Sequence, residues 1–383
     1  MAYAAGEILA GTEDHLAKLR AAWRIIAERE VFDFTGLERG LVLPGEVGVL
    51  DDEIAPALYA ERLTELALDH LGGDPETHDV FVANRTTAAL VAAMQVLARP
   101  GARVVGVSPS YTHPAAVRAV RLAGGDFEEG GVPEGADLVL LTRLAVTYDA
   151  IPLDEIERAV ASGVPVFVDD AGGARVGPAV LGQPKMLELG AVAGVTGLDK
   201  YGTSGPRLGL LAGKRDLVQR IRARAVELGL EARPMLYPAV VHSLEQYRPE
   251  RVRELVATTN RLADALVARL GDWVERTPFA VRLPGEGILS ESIRRGQVES
   301  SLAPIEATAA LAMLLLRDHG ILTVHFAALP PGTSALLLKF VQPETLERFG
   351  GADAFAEAVN ASLDELAALL GSPGAARDLL GCS

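Results

Sequence analysis

The sequence predicts an α/β fold, a mostly parallel sheet covered by helices on both faces and followed by a smaller C-terminal α/β domain. Three observations carry this expectation. From residue 79 the short apolar runs DVFVA, RVVGV, DLVLL, VPVFVD, AVAGVT and RLGLLAG alternate with TTAALVAAMQVLA, HPAAVRAVRLA, LDEIERAVAS and KMLELG. In the latter, apolar residues recur at three and four positions, as on one face of a helix. The run AVAGVT reads as a buried strand, of the kind covered on both faces. Regular alternation of the two patterns implies a parallel, helix-covered sheet. After residue 213 long helical stretches, KRDLVQRIRARAVELG and PERVRELVATTNRLADALVARL, lead into a mixed segment with strand-like FAVRL, LTVHF and ALLLKF that closes on ADAFAEAVNASLDELAALL. The expected division is an N-terminal helix and arm over 1–50, a large domain over 51–244 and a small domain over 245–383.

Composition bounds the partners. The chain has 383 residues, 49% of them hydrophobic, enough for two or three domains with sizeable cores. Its net charge of −15 repels a nucleic-acid backbone, so no nucleic-acid partner is expected. The one cysteine, Cys382, excludes a disulfide framework or cysteine-based metal site within one chain and fits a reducing compartment. The start MAYAAGEILAGTEDHLAKLR lacks a basic segment leading into a long apolar one, and no apolar stretch reaches bilayer length. A cytoplasmic protein with no membrane partner is the expectation.

Four places fall at the carboxyl edge of the predicted sheet, where ligands of such folds bind. In VFVANRTTAALVAAM a strand ends at Ala83 and a helix begins near Thr86. Thr86 or Thr87 would serve as an ordinary N-cap, or the helix start would hold a phosphate monoester with Arg85 beside it. In VPVFVDDAGGARVG an apolar strand runs into Asp169 and Asp170. Paired carboxylates there would bind a metal or, at a central strand end, pair with a protonated pyridine nitrogen, with the small Ala171 giving a flat ring room. In SPSYTHPAAVRA, Tyr111 or His113 would stack on an aromatic group, or serve as a turn and a packed ring. Lys200, in AVAGVTGLDKYGTSGPRLGLLAG, lies thirty-one residues after Asp169, about one helix and one strand along the sheet. A lysine in a partly dry cleft loses its proton readily and becomes a nucleophile toward an aldehyde. Thr196 just upstream would offer a hydroxyl to a phosphate, or is an ordinary β-branched strand residue. An amine, an anion cup, a carboxylate and a stacking ring on neighbouring strand ends are what pyridoxal 5′-phosphate (PLP) requires.

Over roughly residues 30 to 345 the sequence resembles the fold-type I PLP enzymes, the aspartate-aminotransferase superfamily. It is most similar to the branch of L-seryl-tRNA(Sec) selenium transferase and the archaeal selenocysteine-synthase-like PLP proteins, through NRTTAA, VDDAGGARVG and DKYGTSGPRLGLLAG. The resemblance implies a seven-stranded large domain, a small C-terminal domain and active sites shared across a homodimer. It makes Lys200 the Schiff-base lysine, Asp169 the pyridine-nitrogen partner, His113 the stacking ring, and Arg85, Thr86 and Thr87 the phosphate cup. Two departures stand out. Gly197 replaces the Ser or Thr that many relatives carry three residues before the lysine, which leaves Thr196 or a neighbouring subunit as substitute. Where aminotransferases hold the substrate carboxylate with a C-terminal arginine, ALLLKFVQP supplies Lys339, a point charge and not a fork. Arg175, Arg207 and Arg282 are the alternative carboxylate partners.

The expected substrate is a small amino acid. Lys200 would remove its α-proton, and the carbanion would go on to β-elimination or β-replacement at a serine- or cysteine-like side chain. Transamination or racemisation through the same early steps is the second expectation, and a non-catalytic PLP-binding regulator the third.

Overall fold

The computed structural model describes residues 6–40, 48–131, 135–300, 302–324 and 335–382. The chain divides into two compact units, Glu38–Arg253 and Met1–Leu37 with Glu254–Ser383. The boundary falls within the helix Pro249–Leu270.

The unit Glu38–Arg253 is built on a seven-stranded sheet. Its strands in chain order are β1 (His78–Ala83), β2 (Arg103–Val107), β3 (Asp126–Glu129), β4 (Leu138–Thr142), β5 (Val166–Asp169), β6 (Ala193–Gly197) and β7 (Gly209–Lys214). Across the sheet they run β1-β7-β6-β5-β4-β2-β3, parallel except for β7, which is antiparallel to both β6 and β1. Strands β4, β5 and β6 are buried at every residue, as apolar runs covered on both faces must be. One face packs Phe81, Leu140, Phe167, Val195 and Leu211 with the helices Thr86–Leu97 and Arg215–Glu227. The other packs Val139, Leu141, Val168 and Leu210 with the helix Ile54–Leu71. Each such side chain contributes about 1.5–3 kcal/mol on leaving water.

Six of the seven strands coincide with the apolar runs of the sequence. The seventh, β3, reads DFEE, an exposed edge strand whose pairing with β2 supplies hydrogen bonds and almost no apolar surface. KMLELG is not the expected helix. Between Pro184 and Gly190 the chain makes turns, because so few residues cannot sustain the cost of nucleating a helix. Met186 and Leu187 are still buried, and Glu188 accepts from the Lys185 backbone N–H at 2.7 Å. The crossover from β5 uses a short helix, Gly173–Val176, running into a π-helical turn, Gly177–Leu181.

In the second unit the helix Pro304–His319 is buried along nearly its whole length. Around it lie the helices Thr12–Glu28, Gly285–Gly296 and Ala352–Leu369. A three-stranded antiparallel sheet orders Ala335–Lys339, Ala280–Pro284 and Glu275–Arg276, and Phe32–Asp33 pairs in parallel with Ile321–Leu322. Of the strand expected at LTVHF, residues 325 and 326 lie outside the described residues. No helix among the described residues is long and apolar enough to cross a membrane.

Gly209 opens β7 where the chain between β1 and the helix Thr86–Leu97 crosses it. A Cβ there would stand 2.7 Å from Thr86 N and 2.8 Å from the carbonyl atoms of Arg85. Since backbone cannot step aside as a side chain can, Gly209→Ala is expected to cost about 1–3 kcal/mol in urea unfolding and to displace the start of that helix.

Candidate active site

Side chains alternate across a strand, so the consecutive carboxylates at the end of β5 leave on opposite faces. Asp169 shares the face of Phe167 and, by register, of Thr142 and Val195 on the neighbouring strands. Asp170 shares the other face with Arg143, the residue after Thr142. There Arg143 Nε and Nη2 donate to the two carboxylate oxygens of Asp170 at 2.9 and 2.8 Å. Nη1 donates to the Pro184 carbonyl at 2.7 Å and Nη2 also to that of Gly173 at 3.2 Å. Both side chains are fully buried. Asp170 is thus fully engaged, which leaves Asp169 alone of the pair for a ligand and removes the two-carboxylate metal reading.

Asp169 is buried, and its Oδ1 has no hydrogen-bond partner among the described residues. Burial raises its pKa, while His113, Lys200 and the Ala171 backbone N–H favour the ionised form. Thr142 Oγ1, its neighbour by register, is also buried without a partner.

Lys200 follows β6 in the hairpin leading to β7, closed by Leu198 N to Leu208 O at 3.1 Å and Gly205 N to Leu198 O at 2.9 Å. It is half-buried. A Cβ on Gly197 would lie 3.0 Å from Lys200 Cε, 3.3 Å from Asp199 Oδ1 and 3.4 Å from Thr86 Oγ1, so these three groups converge where the glycine has no side chain. Burial lowers the pKa of Lys200; Arg175 and Arg207 act in the same direction, and Asp199 and Asp169 oppose it.

His113 caps the helix Pro114–Leu122, its Nδ1 accepting from Ala115 N at 3.0 Å. The neutral ring therefore carries its proton on Nε2. The ring is exposed to solvent, yet partial desolvation lowers its pKa, with Asp169 opposing and Lys200 and Arg118 assisting. Tyr111 is exposed.

The helix Thr86–Leu97 takes Arg85 as its N-cap, in extended backbone and with no capping side-chain bond. Neither Thr86 nor Thr87 is the ordinary cap considered above, and the first-turn N–H groups have no side-chain acceptor. Arg85 and Thr86 are half-buried and Thr87 exposed. Arg207 lies close enough to Arg85 and Arg39 that, after burial, their like charge depresses its pKa. Asp199 opposes this from 3.6 Å. A helix start with guanidinium groups near it attracts an anion. Arg207 falls at this end of the site, and Arg39 joins it with no motif to mark it.

Two expected residues sit elsewhere. Thr196 alternates with Gly197 and points to the opposite face, where it accepts from Arg175 Nη2 at 3.1 Å instead of facing the cup. Arg175 is completely buried, with Nη1 3.2 Å from His70 Nε2 and Nη2 also bound to the Gly197 carbonyl. It supports the end of β6 and presents no surface to a substrate. Lys339 is buried and Arg282 half-buried in the second unit, on the paired strands Ala335–Lys339 and Ala280–Pro284.

No family model matches the chain. The UPF0425 pyridoxal phosphate-dependent protein of Methanothermobacter thermautotrophicus is 32% identical over 333 residues, 82% of this chain and 85% of that protein. The chain belongs to the UPF0425 family of pyridoxal phosphate-dependent proteins. The UPF0425 protein of Methanopyrus kandleri is 31% identical over 359 residues, 89% of this chain and 94% of that one. Among solved structures, Escherichia coli YbdL, described as having a methionine aminotransferase function, is 17% identical with a TM-score of 0.56 over 92% of this chain and 97% of its own. The SepCysS chain of a complex with the SepCysE N-terminal domain is 14% identical with a TM-score of 0.60, over 88% and 96%. These likenesses show that this UPF0425 chain has the fold of the PLP aminotransferases.

The residues present fit the cofactor. The partnerless Oδ1 of Asp169 is a buried acceptor waiting for a donor, and a protonated pyridine nitrogen is one. The uncapped helix start beside Arg85 suits a phosphate dianion.

Two expectations follow for this UPF0425 protein. Arg143→Met strands the Asp170 charge in the interior and is expected to cost about 3–5 kcal/mol in urea unfolding. The double variant Arg143→Met/Asp170→Leu is expected to regain most of that loss. The second concerns pH. Burial foremost, and after it Arg175, holds His70 well below the ordinary imidazole value of 6.5, and His113 is lowered too. The unfolded chain then takes up protons that the folded one refuses, so stability present above pH 6.5 is lost as the pH falls below it. Thermal melting of the cofactor-free protein is expected to show this fall. His70→Gln, which keeps an acceptor for Arg175 but does not titrate, is expected to make it shallower.

Proposed function

We propose that this protein is a cytoplasmic, homodimeric enzyme that uses PLP to carry out β-elimination or β-replacement on a small amino acid bearing a leaving group at Cβ. The observation that carries the reading is the uncommitted carboxylate of Asp169 beside His113 and Lys200. When bound, the cofactor supplies a ring that accepts the electron pair released at the substrate Cα. Lys200 holds the cofactor and moves the α-proton, a task suited to an amine whose pKa burial has lowered. Asp169 keeps a proton on the pyridine nitrogen, His113 lies against the ring, Ala171 leaves the ring space, and Arg85, Thr86 and Thr87, joined by Arg207 and Arg39, hold the phosphate.

Elimination is put ahead of transamination because the sequence ALLLKFVQP carries Lys339, a point charge, where an aminotransferase arginine fork is expected. The structural likeness to SepCysS is in keeping with the selenocysteine-synthase-like branch.

The test is a substrate screen on PLP-reconstituted protein. Serine, cysteine or an O-substituted serine is expected to yield pyruvate and ammonia, or a new β-substituted amino acid when a thiol is added. Lys200→Ala is expected to lose at least about a hundredfold of that rate. Amino-group exchange with a 2-oxo acid, without pyruvate release, would instead establish an aminotransferase.

A further inference from the structure

The residue after Lys200 has an unusual backbone. Thr203 N reaches Lys200 O at 3.4 Å, and the two residues between, Tyr201 and Gly202, have φ of 57° and 91°. A turn with two positive φ angles favours Asn-Gly or Gly-Gly, and a bulky aromatic at its first central position is disfavoured. Such strain persists only where the surroundings over-determine it.

Here they do so from three sides. Gly202 N donates to Glu38 Oε2 at 2.7 Å, and Glu38 Oε1 is held by Arg251 Nε at 2.9 Å. Gly172 gives the Tyr201 ring its space: a Cβ there would stand 2.7 Å from the ring. The Tyr201 hydroxyl, finally, is 2.9 Å from that of Tyr148. Tyr148 is itself in the left-handed region, with φ of 64°, in the loop where Ala145 N bonds Asp149 O and Ile151 N bonds Arg143 O. Both rings are buried, and burial raises both phenols, so they remain neutral and act through the hydroxyl contact. The Nζ of Lys200 stands 5.8 Å from the centre of the Tyr201 ring.

We infer that Tyr201, braced by the Tyr148 hydroxyl, is a positioning residue that sets the direction from which Lys200 presents its ε-amine. The strained turn puts a flat, immobile wall beside a flexible four-carbon stem, and the second tyrosine keeps that wall from rotating. This rests on the reading of Lys200 as the PLP-bearing residue.

The experiment mixes cofactor-free protein with PLP and follows covalent capture by absorbance, with borohydride trapping and peptide mass locating the adduct. Tyr148→Phe and Tyr201→Phe keep both rings and remove the hydroxyl contact. Each is expected to slow capture about tenfold, and the double variant no further than either single one. Glu38→Gln, which weakens the brace on Gly202, is expected to slow capture in the same sense and gives a second handle on the turn. In a Lys200→Ala background, PLP affinity measured by fluorescence quenching is expected to be unchanged by adding Tyr148→Phe. Capture at the wild-type rate by both Phe variants would overturn the inference. So would an equal loss of PLP affinity in the Lys200→Ala background, which would mark a direct contact with the cofactor or general damage to the site. If borohydride traps nothing at residue 200 of the unsubstituted protein, the reading of Lys200 fails first, and that outcome is distinct from the other two.

Discussion

The site depends on the parting of two adjacent carboxylates at the end of β5. Strand alternation sends them to opposite faces, and the two-pronged contact between Arg143 and Asp170 holds the strand end in that register. Burying that pair is not in itself a source of stability, since desolvation consumes most of the attraction. Its value lies in what it prevents. With Asp170 neutralised within the fold, Asp169 is the one of the two left for a ligand, and His113, Lys200 and one backbone N–H favour its charge.

Other polar groups near the site are held in the same costly way. Arg175 is buried, its Nε has no partner and no carboxylate ion-pairs with it among the described residues, and its other nitrogens go to His70, Thr196 and the Gly197 carbonyl. The apolar packing on both faces of the sheet offsets such costs. The glycines serve a related need. Gly197 leaves room for the lysine stem and the Thr86 hydroxyl, and Gly209 lets the Arg85–Thr86 backbone lie directly on β7.

Much of this was legible in the sequence, for identifiable reasons. Strands covered on both faces are continuous apolar runs, so six of the seven could be read directly; DFEE, at an exposed edge, carries no such mark. Lys200 and Asp169 could be picked out as candidates because each follows or ends an apolar run at the carboxyl edge of the sheet. The separate fates of Asp169 and Asp170 were not, since they turn on Arg143, twenty-six and twenty-seven residues earlier. The same holds for Thr196, whose partner Arg175 reaches it through the fold, and for Arg39, whose charge acts on Arg207 from outside any motif. The N-terminal segment shows the limit most plainly. Ile8 and Leu9 donate their backbone N–H groups to Glu306, nearly three hundred residues away.

The clustering of Arg39, Arg85 and Arg207 at one sheet edge has a consequence for how the protein meets its ligands. A molecule carrying −15 overall pushes anions away at long range, yet this edge draws them in once they are near. The far field is screened by ordinary salt within about 10 Å, whereas the contacts within the cleft are screened much less. Moderate ionic strength therefore lowers the outer barrier more than it loosens the inner grip at this positive edge.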